Sequence, residues 1–290
     1  MKIVVGASSF SRTVPGCEVI LNPYGRKMTE DEIIAQLEGA DGLLAGLEPL
    51  NSRVFSACPG LKAIARVGAG MDNVDLEAAK RRGIKVSGTP DAPTYAVAEM
   101  TMAALLTIAR RIIPANADMH GGVWQKQAGM SLEGAAVLLI GYGRIGKRFA
   151  QLLEPFGARL MICDPAYAQI RTDLKAMLAQ ADVISLHASG KDVILGPEQF
   201  PLLKNSVIIL NSARGGLVDE DALCRFLDEN GGAYYWADVF CEEPYAGPLT
   251  QKANAVLTPH IATYTALCRE QMEAQAVSNL LRDLGVRELG

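Results

Sequence analysis

Histidine is scarce in this chain. His120, His187 and His260 are the only three in 290 residues. An imidazole that moves protons near neutral pH must be one of them. They form no H-x-x-x-H pair, and the six cysteines at 17, 58, 163, 224, 241 and 268 form no C-x-x-C. The sequence therefore predicts no metal site and no dithiol redox motif. A different chemistry is written in Gly141-Tyr-Gly-Arg-Ile-Gly146, a G-x-G-x-x-G directly after the apolar run Ala136–Ile140. Gly141 would make the tight turn, Gly143 would let backbone approach a pyrophosphate, and Gly146 would let helix and strand pack closely. Arg144 and Ile145 open the following helix, whose unpaired N–H groups and positive dipole would hold phosphate charge. Asp164 closes the next strand-like run. A carboxylate there accepts hydrogen bonds from ribose hydroxyls and repels a 2′-phosphate, which predicts NAD(H) over NADP. With Lys147 added, the same stretch also fits the start of a P-loop, but Arg148 stands where Ser or Thr must meet Mg²⁺.

Three later segments carry charge where strands should end. Arg214 lies in Asn211-Ser-Ala-Arg-Gly-Gly216 after the apolar run Val207–Leu210. Asp238, Glu242 and Glu243 follow the run that begins at Tyr234, and His260 follows Ala255–Leu257. Open α/β sheets bind ligands beyond the carboxyl ends of their strands. An arginine, carboxylates and a histidine are thus expected on one rim with the nucleotide loop.

The elements that must carry these residues alternate between short strands and helices, the pattern of an α/β protein with parallel sheets. Strands are expected at Lys2–Gly6, Gly42–Ala45, Ala63–Val67 and Ile84–Val86. A capping box Thr29-Glu-Asp-Glu32 should open a helix. Pro90-Asp-Ala-Pro93 reads as a hinge, followed by one long apolar helix from Thr94 to Ile113. Beyond Ala135 the alternation becomes regular and ends in a helix from Tyr264 to Leu284. With 28 Lys+Arg, 32 Asp+Glu and 49% apolar residues, the chain has the composition of a soluble globular protein of one or two domains. Its mild acidity argues against a nucleic-acid partner, and its apolar runs are too short to span a bilayer. Unpaired cysteines and no apolar leader predict a cytoplasmic protein.

Five stretches together resemble the D-isomer-specific 2-hydroxyacid dehydrogenase family, nearest its phosphoglycerate dehydrogenase-like branch. They are Arg66-Val-Gly-Ala-Gly-Met-Asp-Asn-Val-Asp75, Gly141–Gly146, Asn211-Ser-Ala-Arg-Gly-Gly-Leu-Val-Asp-Glu220, Asp238-Val-Phe-Cys-Glu-Glu-Pro244 and Thr258-Pro-His260. The resemblance implies two Rossmann-like or flavodoxin-like doubly wound domains with an active cleft between them. Residues 1–92 plus 264–290 would form the substrate domain and 93–263 the NAD-binding domain. Arg214 would grip the carboxylate and carbonyl oxygen of a small 2-hydroxy or 2-keto acid. His260 would be the acid/base and Glu243 its partner. Asp238 would contact the nicotinamide end, with His187, Ser212 and Ala213 along the cofactor. Backbone N–H groups of Val67, Gly68 and Ala69 would bind the substrate carboxylate. Phosphoglycerate, glyoxylate and hydroxypyruvate are the substrates the family suggests, although Gly46-Leu-Glu48 lacks the base that phosphate-using relatives offer. The segments Pro165–Thr172 and Ala188–Lys191 are shorter than the family pattern. A homodimer formed through the nucleotide domain is implied. So is one alternative, an NAD(H)-sensing protein of the corepressor kind without turnover.

Overall fold

The computed structural model describes residues 1–170, 173–190 and 192–286. Thr172 and Lys191, the ends of the two shortened segments, lie outside the described residues. The chain divides into two compact units, Met1–Pro93 joined by the segment from Tyr264 onward, and Thr94–Thr263.

In the first unit, β1 (Lys2–Val5), β2 (Glu18–Ile20), β3 (Gly42–Ala45), β4 (Ala63–Arg66) and β5 (Lys85–Ser87) form a parallel sheet in the order β2-β1-β3-β4-β5. Helices α1 (Glu30–Gln36), α2 (Ser52–Ala57) and α3 (Leu76–Arg81) connect them. Each begins on a side-chain cap: Thr29 with its complete capping box, Asn51 and Asp75. Met28, Ile33, Leu37, Leu43, Val54, Phe55 and Ile64 share one core.

In the second unit, β6 (Ala136–Ile140), β7 (Arg159–Cys163), β8 (Val183–Leu186), β9 (Ile208–Asn211), β10 (Tyr234–Ala237) and β11 (Ala255–Leu257) form a parallel sheet, ordered β11-β10-β9-β8-β6-β7. Every residue of β6, β8 and β9 is buried. That explains why they are apolar except at Ser185 and Asn211, because a parallel sheet is covered on both faces. Each fully buried Leu, Ile or Val there stabilises the unit by about 1.5–3 kcal/mol.

The long apolar helix expected over 94–113 is two helices, α4 (Pro93–Ala109) and α5 (Ile112–His120), broken at Arg111 with φ 53°. Pro114 supplies the reason. Inside a continuous helix its ring would strike the carbonyl four residues earlier and one hydrogen bond would be lost. The left-handed step at Arg111 restarts the helix so that Pro114 falls in a first turn, where it is tolerated. The remaining helices are α6 (Arg144–Leu153), α7 (Leu174–Gln180), α8 (Glu220–Glu229) and α9 (Ala266–Asp283), the last belonging to the first unit. Among the described residues, no helix is long and apolar enough to cross a membrane.

Candidate active site

Strand order reverses in the second unit at the carboxyl end of β6, between β7 on one side and β8 on the other. The glycine loop sits at this switch point, where doubly wound sheets open a crevice. Gly141 has φ 96°, and a Cβ there would lie 2.5 Å from the Ala188 nitrogen. A Cβ on Gly146 would lie 2.4 Å from the Gly141 carbonyl oxygen. Gly143 caps α6 without a side-chain hydrogen bond, and nothing lies within 4 Å of the place its Cβ would take. The helix therefore begins with open backbone donors, a cradle that fits a dinucleotide pyrophosphate. Arg144 is exposed, Ile145 half-buried and Gly146 buried. Asp164 follows β7 and turns its carboxylate toward this loop, accepting from the Tyr142 N–H at 2.5 Å and the Ala166 N–H at 2.8 Å. The Lys147 ammonium lies over the rings of Tyr142 and Tyr167, at 5.9 Å and 5.3 Å from their centroids.

At the neighbouring strand ends, His260 and Glu243 meet. The imidazole Nδ1 is 2.8 Å from Glu243 Oε2, with side chains 42% and 30% exposed, so the pair is reachable from solvent. Glu243 is itself aimed by the Phe240 N–H, which donates to Oε1 at 3.1 Å. With Nδ1 donating to the carboxylate, Nε2 is the nitrogen left for a substrate. His260 holds φ at 54°, a left-handed conformation that costs a non-glycine residue about 1–3 kcal/mol and tends to mark functional sites.

Arg214 follows β9 in a turn held by Asn211, a fully buried residue. Asn211 Nδ2 donates to the Arg214 carbonyl at 2.9 Å, and its Oδ1 accepts from the Ala213 N–H at 3.1 Å. Gly215 rests directly on the segment leading to Glu243: a Cβ on it would lie 2.3 Å from the Cys241 nitrogen. No side chain fits between the arginine turn and the glutamate turn.

A family model for the D-isomer specific 2-hydroxyacid dehydrogenase, NAD binding domain, matches residues 102–262. The chain is 34% identical to a hydroxypyruvate reductase of Thermotoga maritima, over 89% of this chain and 90% of that one. The chain belongs to the D-isomer specific 2-hydroxyacid dehydrogenase family. As such it is an NAD-dependent oxidoreductase. It is also 35% identical to a D-3-phosphoglycerate dehydrogenase of Mycobacterium bovis, over 83% of this chain but 48% of that one, so it spans about half the length of that relative. Among solved structures it resembles the TT0316 protein from Thermus thermophilus, with TM-score 0.88, 33% identity, and coverage of 100% of this chain and 99% of that one.

His187 follows β8, its ring 5.4 Å from that of Phe149 and its Nε2 2.9 Å from Ser185 Oγ. Burial pushes its pKa down to about 4, so this dehydrogenase keeps it neutral and unfit for acid/base work at pH 7. Among the described residues its Nδ1 is buried with no hydrogen-bond partner. His120 is exposed at the end of α5. Ser212 Oγ lies 3.1 Å from Thr101 Oγ1 on α4, and Ala213 is buried. Asp238 is 1% exposed after β10 and faces the Thr258–Ala262 segment. Glu242 is exposed.

In the first unit, the Val67 N–H donates to Ala45 O at 2.9 Å and the Gly68 N–H to Thr89 Oγ1 at 2.8 Å. Those two amides hold the loop, and Ala69 is exposed. Sequence reasoning missed the acid beside this loop. Glu48 is fully buried at the switch point between β1 and β3. Both its oxygens accept from the Gly46 N–H, at 3.0 and 3.1 Å, and a Cβ on Gly6 would fall 2.0 Å from Oε1. Burial raises its pKa, opposed in part by the charge of Arg66. The only signal for this in the sequence was the pair of glycines at the ends of β1 and β3.

Proposed function

We propose that this dehydrogenase interconverts a small, unphosphorylated 2-hydroxy acid of D configuration and its 2-keto acid, with hydroxypyruvate and glyoxylate as the leading substrates. The observation that carries this reading is the His260–Glu243 pair, oriented through Nδ1 and exposed beside the arginine turn. Bound NAD(H) supplies the hydride acceptor in oxidation and the donor in reduction. Gly141, Gly143 and Gly146 would hold its phosphates and Asp164 its adenosine ribose, with Ser212, Ala213, His187 and Asp238 along its length. Arg214 offers a planar, permanently charged fork that suits a carboxylate. His260 Nε2 takes the substrate hydroxyl proton in oxidation and returns it to the carbonyl oxygen in reduction, while Glu243 steadies the charged imidazolium. The absence of a base in Gly46-Leu-Glu48 supports the choice of an unphosphorylated acid.

The test is an NADH oxidation panel with glyoxylate, hydroxypyruvate and 3-phosphohydroxypyruvate. Turnover is expected to be fastest with the first two. Tight NADH binding without turnover of any acid would instead support the sensing alternative. For the cofactor, Asp164→Ala should raise kcat/KM with NADPH relative to NADH by about tenfold, equivalent to about 1.4 kcal/mol, because the repelling charge is gone and Lys147 remains. An unchanged ratio would remove Asp164 from the ribose site.

The reading includes a homodimer formed through the second unit. Ile112, Ile113 and Met119 of α5 are 52%, 48% and 55% exposed, with Val123 at 46% and Trp124 at 80% beyond it. Exposed apolar side chains clustered in this stretch of chain support a protein contact there. Trp124→Asp should shift the mass found by sedimentation from dimer to monomer, and a wild type that sediments as a monomer ends this part of the reading.

A further inference from the structure

His260 is held in a conformation that an unsupported turn would abandon, and the support is Asp238. Its Oδ1 accepts from the Thr258 hydroxyl at 2.6 Å and from the Ile261 N–H at 2.9 Å. Its Oδ2 accepts from the Ala262 N–H at 2.8 Å. These three donors bracket His260 on both sides. Thr258 is anchored further, because its hydroxyl accepts from Nε1 of the fully buried Trp236 at 3.2 Å. Asp238 is anchored too, its own N–H donating to the Asn211 carbonyl at 3.1 Å.

We propose that Asp238 is a positioning residue for the acid/base: its carboxylate clamps the Thr258–Ala262 turn and thereby fixes His260 in the left-handed conformation from which Nδ1 reaches Glu243. This rests on the reading of His260 as the acid/base. A carboxylate has about four lone-pair sites, and the turn takes three of them. Successive amides aimed at one anion make a strong, directional contact, more so when buried. If these bonds are lost, the chain around His260 relaxes toward negative φ, and the ring swings away from Glu243. The one site left on Oδ2 still permits a nicotinamide contact, so the two roles can coexist, but they predict different losses.

The experiment compares Asp238→Asn with wild type by initial rates, NADH fluorescence titration and ¹⁵N spectra of the three histidine rings, assigned with His260→Ala. Asparagine keeps the shape but turns an NH₂ toward at least one of the three donors. Because a misplacement of about 1 Å can cost 10²-fold, kcat should fall by about 10- to 100-fold. The Kd for NADH should stay within about threefold. The His260 ring should lose the Nδ1–H signature of its bond to Glu243, while the His120 and His187 signals stay unchanged. Thr258→Ala, which removes one donor and leaves the charge, should show a smaller loss of the same kind, and Thr258→Ser should restore it. This pair also decides the matter should Asp238→Asn fail to fold. NADH affinity falling as far as kcat, with the His260 ring signature intact, would overturn the proposal and leave Asp238 a cofactor contact only. The ring spectra read the clamp even if no acid is turned over, whereas undiminished turnover by His260→Ala would sink the acid/base reading itself.

Discussion

His260→Ala is expected to lower kcat by about 10²–10⁴-fold while leaving the Kd for NADH within about twofold of wild type. The magnitude is that of a positioned general acid/base, about 2.7–5.5 kcal/mol at 1.36 kcal/mol per tenfold. The split between the two constants follows from location. The cofactor cradle is built on β6 and α6, at the switch point, whereas His260 follows β11 at the far edge of the same sheet. No other histidine can stand in. His187 is buried and neutral, and His120 lies at the end of α5. Stopped-flow reduction of a 2-keto acid by NADH checks the first half, and fluorescence titration the second. A variant that keeps a tenth or more of wild-type kcat removes His260 from the reaction.

Arg214→Lys is expected to lower kcat/KM for the keto acid by about 10- to 100-fold, most of it in KM. Lysine keeps the charge but loses the two-pronged fork, and each hydrogen bond to a charged group is worth about 1.5–3 kcal/mol. The guanidinium Nη1 donates to the Ala213 carbonyl at 2.6 Å, so the side chain is steered by its own turn before any substrate arrives. An ammonium on a flexible stem has no equivalent restraint. Steady-state kinetics with varied keto acid at saturating NADH gives the comparison, and equal KM values in both proteins would refute the carboxylate role.

The sequence made the regular parts of this molecule legible for a physical reason. In β6 and β8 the apolar run and the strand coincide because a parallel sheet buries both faces of its inner strands. The glycine loop was legible because Gly141 and Gly146 each answer a steric demand of the fold, while Gly143 leaves the helix start open. The α4–α5 break was missed although Pro114 was in view, because the apolar run continues through it and hides the restart at Arg111. Asn211 and Glu48 were hidden more deeply. Their backbone partners lie only two or three residues away, and it is their complete burial, which no local spacing announces, that sets them apart. Asp238 was singled out only as a nicotinamide contact, and its bonds to residues 258–262 depend on β10 and β11 pairing in register.

The packing of Gly215 against Cys241 has a bearing on how the substrate range of this protein could be altered. The residue that would grip the acid and the residue that would steady the proton carrier sit on two turns in van der Waals contact. Redesign of residues 212–216 alone would push on 240–243 and detune the proton carrier while reshaping the grip. Directed-evolution libraries that vary both turns at once should therefore yield active variants with new acid preferences where single-turn libraries yield only slow ones.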